Sequence, residues 1–403
     1  MAGSRGTTTR VAAVEATPSL TTHSTLIALH MLTVINAVLP LVVEYPPNVN
    51  VVVTASLAVL TGCVRSVKDT PPTESMTKKD AYKFPLMGSV MLFGLFLAFK
   101  FLPKDMVNMV LTLYFILLGT LGLVATVERF FVFDGSDDSP HWLKKQREIN
   151  VPGPFEPFEF SILEMLLCIP AAGFCYWYYM TKHWLANNVL GLAFSLQGVE
   201  HLSLGTVQNG VILLCGLFFY DVFWVFCTPV MVSVAKNFDA PIKLLFPKAL
   251  GSTEYSMLGL GDIVIPGIMV AIILRYDVQK HMTGYVDGTR GKMSHATGSP
   301  RFFYSCFLGY VIGIASTIVV MNVFNAAQPA LLYIVPSVLA CTFTHAWMAG
   351  ETKALFHWSE APVTKEEKED DGSKNKKKDE DESNTEDAQE GVTTRRRRRV
   401  QRD

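Results

Sequence analysis

Gly259-Leu260-Gly261-Asp262 decides how this chain is read. The tetrapeptide lies in Met257–Leu274, a run otherwise apolar enough to cross a membrane. An aspartate at that depth costs roughly 2.5–3.5 kcal/mol on insertion scales, so an acid kept there points to a function and to a partner. A second acid stands one apolar run earlier, as Tyr220-Asp221 within Val211–Val232.

The surrounding composition makes both acids stand out. Of 403 residues, 50% are hydrophobic and 18% charged, against about 25% charged in soluble domains. Much of that charge is concentrated in the last stretch of the chain, so the remainder is more apolar still. The whole describes a polytopic, all-α membrane protein. The net charge of −1 averages an apolar body with a highly charged tail and so says nothing about partners; no nucleic-acid partner is expected. Seven cysteines are scattered in or beside apolar runs, without the spacing of a metal or redox pair.

Moving outward from the two acids, the apolar runs are Val49–Val64, Phe84–Leu102, Met106–Val127, Phe160–Met180, Trp184–Leu204, Val211–Val232, Met257–Leu274, Phe302–Val323 and Gln328–Met348. These nine make the expected spans. Basic residues in loops 65–83, 128–159 and 275–301 place those loops in the cytosol, together with the tail. Leu26–Val43 is a shorter run behind a Ser/Thr-rich segment carrying Arg5 and Arg10. It fits a cleaved signal, a signal anchor or one extra span, and the residues do not choose among them. The chain thus divides into 1–48, a disordered and apolar leader; 49–205, the first group of spans; 206–350, the spans with the acids; and 351–403, a disordered charged tail. Trp184–Leu204 is the least apolar span and holds Asn187, Asn188, Gln197, Glu200 and His201. Polar groups there serve packing and hydrogen bonding more often than chemistry.

Two carboxyls a few ångström apart cannot both ionise, because like charges repel in a low dielectric. One then keeps a proton and can act as an acid, while the other can activate water as a base. Asp221 and Asp262 sit in successive, antiparallel runs and can be neighbours. Gly259 and Gly261 loosen the backbone beside Asp262, and irregular backbone in a membrane is tolerated where it lines a wet cavity. Gln328-Pro329-Ala330-Leu331 opens the last run, where a proline is an ordinary helix start. There is no HExxH, G-x-S-x-G or Walker A motif. From the residues alone, an ion-coupled transporter stays open beside a hydrolase.

The three motifs, in this order and in these spans, resemble the GxGD intramembrane aspartyl proteases, and most closely the signal peptide peptidase branch. Lys182-His183-Trp184, Gly191-Leu192-Ala193-Phe194-Ser195-Leu196 and Ala240-Pro241-Ile242-Lys243-Leu244 extend the likeness over roughly Val49–Gly350. The resemblance implies nine transmembrane helices, a lumenal amino terminus and a cytosolic tail. It implies that Asp221 and Asp262 are the catalytic pair, next to Tyr220. Gly259, Leu260 and Gly261 are implied to shape a substrate-binding strand, and Gln328, Pro329, Ala330 and Leu331 to align the site. No metal or organic cofactor is implied. The implied substrates are remnant signal peptides and type II transmembrane segments, cut within the endoplasmic reticulum membrane. The connection 233–254 is short, unlike the long cleaved loop of presenilins. Arg395–Arg399 fits a retention signal, a contact to anionic lipid or a solvated tail. The oligomeric state, homo-oligomer included, is left open.

Overall fold

The computed structural model describes residues 23–44, 46–68, 75–131, 147–149, 158–238, 240–249, 252, 254–283, 301–324 and 328–360. The segments 1–22 and 361–403, expected to be disordered, lie outside them. In chain order the helices are α1 (His23–Val38), α2 (Pro47–Ser66), α3 (Lys78–Phe101), α4 (Lys104–Phe131), α5 (Ile162–Thr181), α6 (Trp184–His201), α7 (Val207–Phe226), α8 (Val230–Asn237), α9 (Gly261–Thr283), α10 (Arg301–Phe324), α11 (Leu331–Met348) and α12 (Thr352–Phe356). Two antiparallel strand pairs interrupt them: β1 (Arg147–Ile149) with β2 (Phe158–Phe160), and β3 (Lys243–Pro247) with β4 (Tyr255–Gly259). Every expected span overlaps a long helix. Among the described residues eight helices are long and apolar enough to cross a membrane. The other two long helices are α6, rich in polar side chains, and α9, whose apolar middle is flanked by Asp262, Arg275 and Asp277; both are largely enclosed.

α9 is the axis of the bundle. From Ile268 to Leu274 no side chain is more than 2% exposed. A helix apolar on all sides belongs in the interior, and α2, α6, α7, α10 and α11 pack around this one. The outer helices show the reverse. On α3, Leu86, Met87, Val90 and Met91 are all exposed, a surface suited to lipid. Start signals are local. Thr77 with Asp80 and Ser161 with Glu164 form capping boxes for α3 and α5.

Glu200, on α6, has a structural role. Its side chain is fully buried and pairs with Arg65 of α2 at 2.7 Å and with Lys68 at 3.2 Å. The polar residues of α6 therefore satisfy one another and their neighbours inside the bundle, as a buried ion pair in a membrane requires.

The structure differs from the sequence reading in four places. Met257–Gly259 is strand, and the helix begins only at Gly261. Ala240–Phe246, part of the connection 233–254 between spans, largely forms β3. Order continues past Glu351: Leu355 of α12 is buried and Trp358 packs edge-on against Tyr276 at 5.6 Å. Finally, within the leader, where the sequence leaves Leu26–Val43 open between a signal and an extra span, His23–Val38 is the helix α1, docked on α2. Its buried face is polar (His30, Thr33 and Asn36), whereas Met31, Leu32, Val34 and Ile35 are exposed. Asn36 Nδ2 donates to Thr54 Oγ1 at 2.7 Å, and the Thr33 and Thr61 hydroxyls meet at 3.3 Å.

Candidate active site

Asp221 lies well along α7, only 5% exposed. Its Oδ2 accepts the Leu331 N–H at 3.0 Å. Leu331 opens α11, and the first amides of a helix have no partner within it. Pro329, just before, has no N–H of its own. The carbonyl of Ala330 takes the Tyr333 and Ile334 amides, both at 3.1 Å, and so starts the helical ladder. The Pro329-Ala330-Leu331 segment is thus a helix start that points one unclaimed N–H, and the positive end of the helix dipole, at Asp221. Gln328 stands half-buried just ahead and gives no hydrogen bond to either acid. Tyr220 turns toward α3. A Cβ on Gly88 would meet its ring at 3.6 Å, and Trp224 is its aromatic neighbour.

Asp262 is in the first turn of α9, near enough to Asp221 for the two carboxyls to interact electrostatically. Leu260 makes the corner between strand and helix. Its N–H donates to the Ile242 carbonyl at 3.0 Å, extending the β3–β4 ladder, and its own carbonyl accepts the amides of Ile263 and Val264. A Cβ on Gly259 would come within 3.3 Å of Asp262 Oδ2, so a side chain there would press on the acid. At Gly261 a Cβ would meet Ile265 at an ordinary 3.7 Å, so internal packing does not demand glycine there.

One residue unforeseen from sequence supports this corner. Tyr310 of α10 is fully buried, and its hydroxyl donates to the Asp262 carbonyl at 3.3 Å. The only hint was a phenol in the middle of a span, whose hydroxyl must find a partner when buried. A cavity of about 310 Å³ lies apart from the acids, between the α1–α2 link (Pro40, Val43, Glu44, Pro46) and the end of β3 (Pro247, Lys248, Ala249).

The register of the hairpin matters for what can approach Asp262. Lys243 faces Gly259 and Leu245 faces Met257. Hydrogen-bonded pairs alternate along an antiparallel ladder, and Ile242–Leu260 and Lys248–Glu254 are bonded. The amides and carbonyls of Tyr255, Met257 and Gly259 therefore point away from β3. The sheet has two strands, and among the described residues nothing pairs with that second edge. It runs straight to Asp262.

Two membrane acids brought together beside an open strand edge, inside a helical bundle, are the architecture of an intramembrane aspartic peptidase. Comparison with known proteins gives the same class and narrows it. Residues 68–362 match the signal peptide peptidase family. The signal peptide peptidase of Mus musculus is 39% identical over 308 residues, 74% of this chain and 78% of that protein. The Homo sapiens signal peptide peptidase is 40% identical over 309 residues, with the same coverage of 74% and 78%. A probable intramembrane protease of Schizosaccharomyces pombe is 31% identical over 310 residues, 76% of this chain and 92% of its own. The chain belongs to the signal peptide peptidase family of intramembrane proteases and acts on membrane-embedded peptides.

Proposed function

We propose that Asp221 and Asp262 are the catalytic pair, and that the substrate reaches them as an extra strand on the open edge of β4. The observation that carries this is the junction at Gly259–Asp262, where an unpaired strand edge ends at one acid, with the other acid near enough for the two carboxyls to interact electrostatically. A transmembrane helix hides its peptide bonds in its own ladder. Once unwound, it can regain hydrogen bonds by adding to a sheet edge. Asp221 already accepts the Leu331 N–H and takes a proton from water; the water oxygen attacks the scissile carbonyl carbon. Asp262 gives its proton to the carbonyl oxygen. When the tetrahedral intermediate collapses, the C–N bond breaks, the amine leaves with a proton, and the pair is again singly protonated. The substrates are remnant signal peptides, in keeping with the names of the relatives, and type II transmembrane segments of the endoplasmic reticulum membrane, as the family resemblance implies.

Edge addition has a periodic signature. In a labelled type II segment, N-methylation of backbone amides that face β4 should block cleavage by the detergent-solubilised protein. Methylation of the alternate amides should be tolerated. Equal sensitivity at successive positions would overturn the strand reading. A transition-state mimic of aspartic proteases should inhibit the same reaction.

The topology follows the basic loops, with the tail and the 65–83 loop cytosolic. α1 is retained as a membrane helix, lying ahead of the segment that matches the family. Its polar face is buried against α2 and its apolar face is outward, the arrangement a lipid-facing helix needs. One added span moves the amino terminus to the cytosolic side, in agreement with Arg5 and Arg10. An amino-terminal epitope on microsomal protein should remain on the full-length chain and be removed by external protease. Loss of the epitope at maturation, or its protection, would contradict this.

A further inference from the structure

Asn187 and Asn188 are adjacent buried amides in α6, 4% and 5% exposed. Buried amides away from water must find partners, and these find them on β3. Asn188 Nδ2 donates to the Leu245 carbonyl at 2.7 Å, and the Leu245 N–H donates to Asn188 Oδ1 at 2.7 Å. Asn187 Nδ2 donates to the Lys243 carbonyl at 2.7 Å. Lys243 and Leu245 are the β3 residues whose backbone groups face away from β4. A primary amide carries its donor and acceptor side by side, as a peptide group does. Asn188 thus satisfies Leu245 as the residue of a neighbouring strand would.

Gly191, one turn along, lets the hairpin close on α6. A Cβ there would lie 2.8 Å from Leu244 Cδ2 and 3.3 Å from Leu260 Cδ2. The order across the sheet is therefore α6 amides, β3, β4, open edge. The far end of β4 is fixed by its passage into the buried helix α9. The near strand has its fixed point at Asn188.

We propose that Asn188 is a positioning residue that sets the register of the hairpin, and through it which peptide bond of the substrate faces the acids. The proposal rests on the reading that substrate adds to β4. A two-stranded hairpin alone is marginally stable. A slip by one residue turns its buried face outward, so the tolerated slip is two residues, which keeps Leu244 and Phe246 inward. Releasing β3 from α6 then leaves β4 held only at its α9 end, so the edge that pairs with the substrate no longer fixes a single register.

The experiment compares Asn188→Asp and Asn188→Leu with the unaltered protein on one type II membrane peptide, with products identified by mass. Asp keeps the acceptor for the Leu245 N–H but faces its carbonyl with a second acceptor; Leu removes both bonds. The expected result is a turnover about tenfold lower, the scale of losing one buried hydrogen bond, with new cleavage sites two residues from the original. Binding of an active-site transition-state mimic is retained. Gly191→Ala, which pushes on Leu244 only through a flexible side-chain end, should spread the products in the same way and covers the case in which the Asn188 variants do not fold. Products from the original bond alone, whether the rate falls or not, would assign Asn188 a purely structural role and overturn the proposal. The N-methyl series on the unaltered protein reports separately on whether the substrate is a strand at all.

Discussion

Asp221→Asn and Asp262→Asn are each expected to abolish peptide cleavage, with a loss of about 10⁴-fold or more, the scale reached when one member of an interdependent catalytic set is removed. The substitution is close to isosteric. At position 221 the asparagine oxygen can still accept the Leu331 N–H, now made at 3.0 Å, so α7 and α11 keep their contact. What disappears is the ability to take a proton from water or to hand one to the carbonyl oxygen. The double variant should be no worse than either single one, because two acids that share one proton act as a unit. The measurement is cleavage of a labelled type II segment by purified protein, with elution volume and thermal midpoint as controls for folding. Cleavage by either variant within about tenfold of the unaltered protein would remove the pair from the mechanism. If the acids served an ion path instead, ion flux in proteoliposomes would depend on them and no peptide product would form.

The acids were legible in the sequence because their signal is local: a charge inside an apolar run has few explanations. The spans were legible because hydropathy marks membrane depth whatever the packing. Hydropathy does not report how the backbone satisfies its hydrogen bonds at that depth. A short apolar run such as Met257–Leu260 meets the requirement equally well as helix or as paired strand. Its partner, Lys243–Pro247, lies just upstream, but the 248–254 loop that joins them is not the two-residue Asn-Gly type of turn that announces a hairpin. The hairpin therefore appeared only in the structure, and with it the reason for Gly259. Asn187 and Asn188 were visible as polar residues in a span, but their bonds run to backbone 56 and 57 residues away. Leu26–Val43 was ambiguous for the opposite reason. Its hydropathy resembles that of a signal segment, and what favours a retained helix is the burial of His30, Thr33 and Asn36 against α2, which no hydropathy pattern reports.

Gly313→Leu is expected to lower cleavage by at least about 100-fold, the cost attached to a catalytic group displaced by roughly 1 Å. A Cβ at 313 would stand 2.6 Å from Ile334 Cα and 3.2 Å from the Tyr333 carbonyl. Both are backbone atoms of α11, so no side-chain rotation can relieve the overlap, and the helix itself must move. The start of that helix is tied to the same stretch of α10, since Thr317 Oγ1 bonds the Gly313 carbonyl at 2.9 Å and reaches toward the Ala330 carbonyl at 3.4 Å. Pushing α11 outward carries Leu331 with it and draws its N–H away from Asp221. Overpacking a close helix contact costs about 1–3 kcal/mol, so the thermal midpoint should fall as well. Gly313→Ala should give a smaller loss of both. Gly94→Leu is the control, because no atom lies within 4 Å of a Cβ at that point of α3; a surface change of this kind should leave activity within about twofold. If Gly313→Leu cuts at the unaltered rate, the Leu331 contact does not set the geometry of Asp221. If activity falls while the thermal midpoint holds, the loss lies in alignment, because the pair of acids is intact and only the amide that orients one of them has moved.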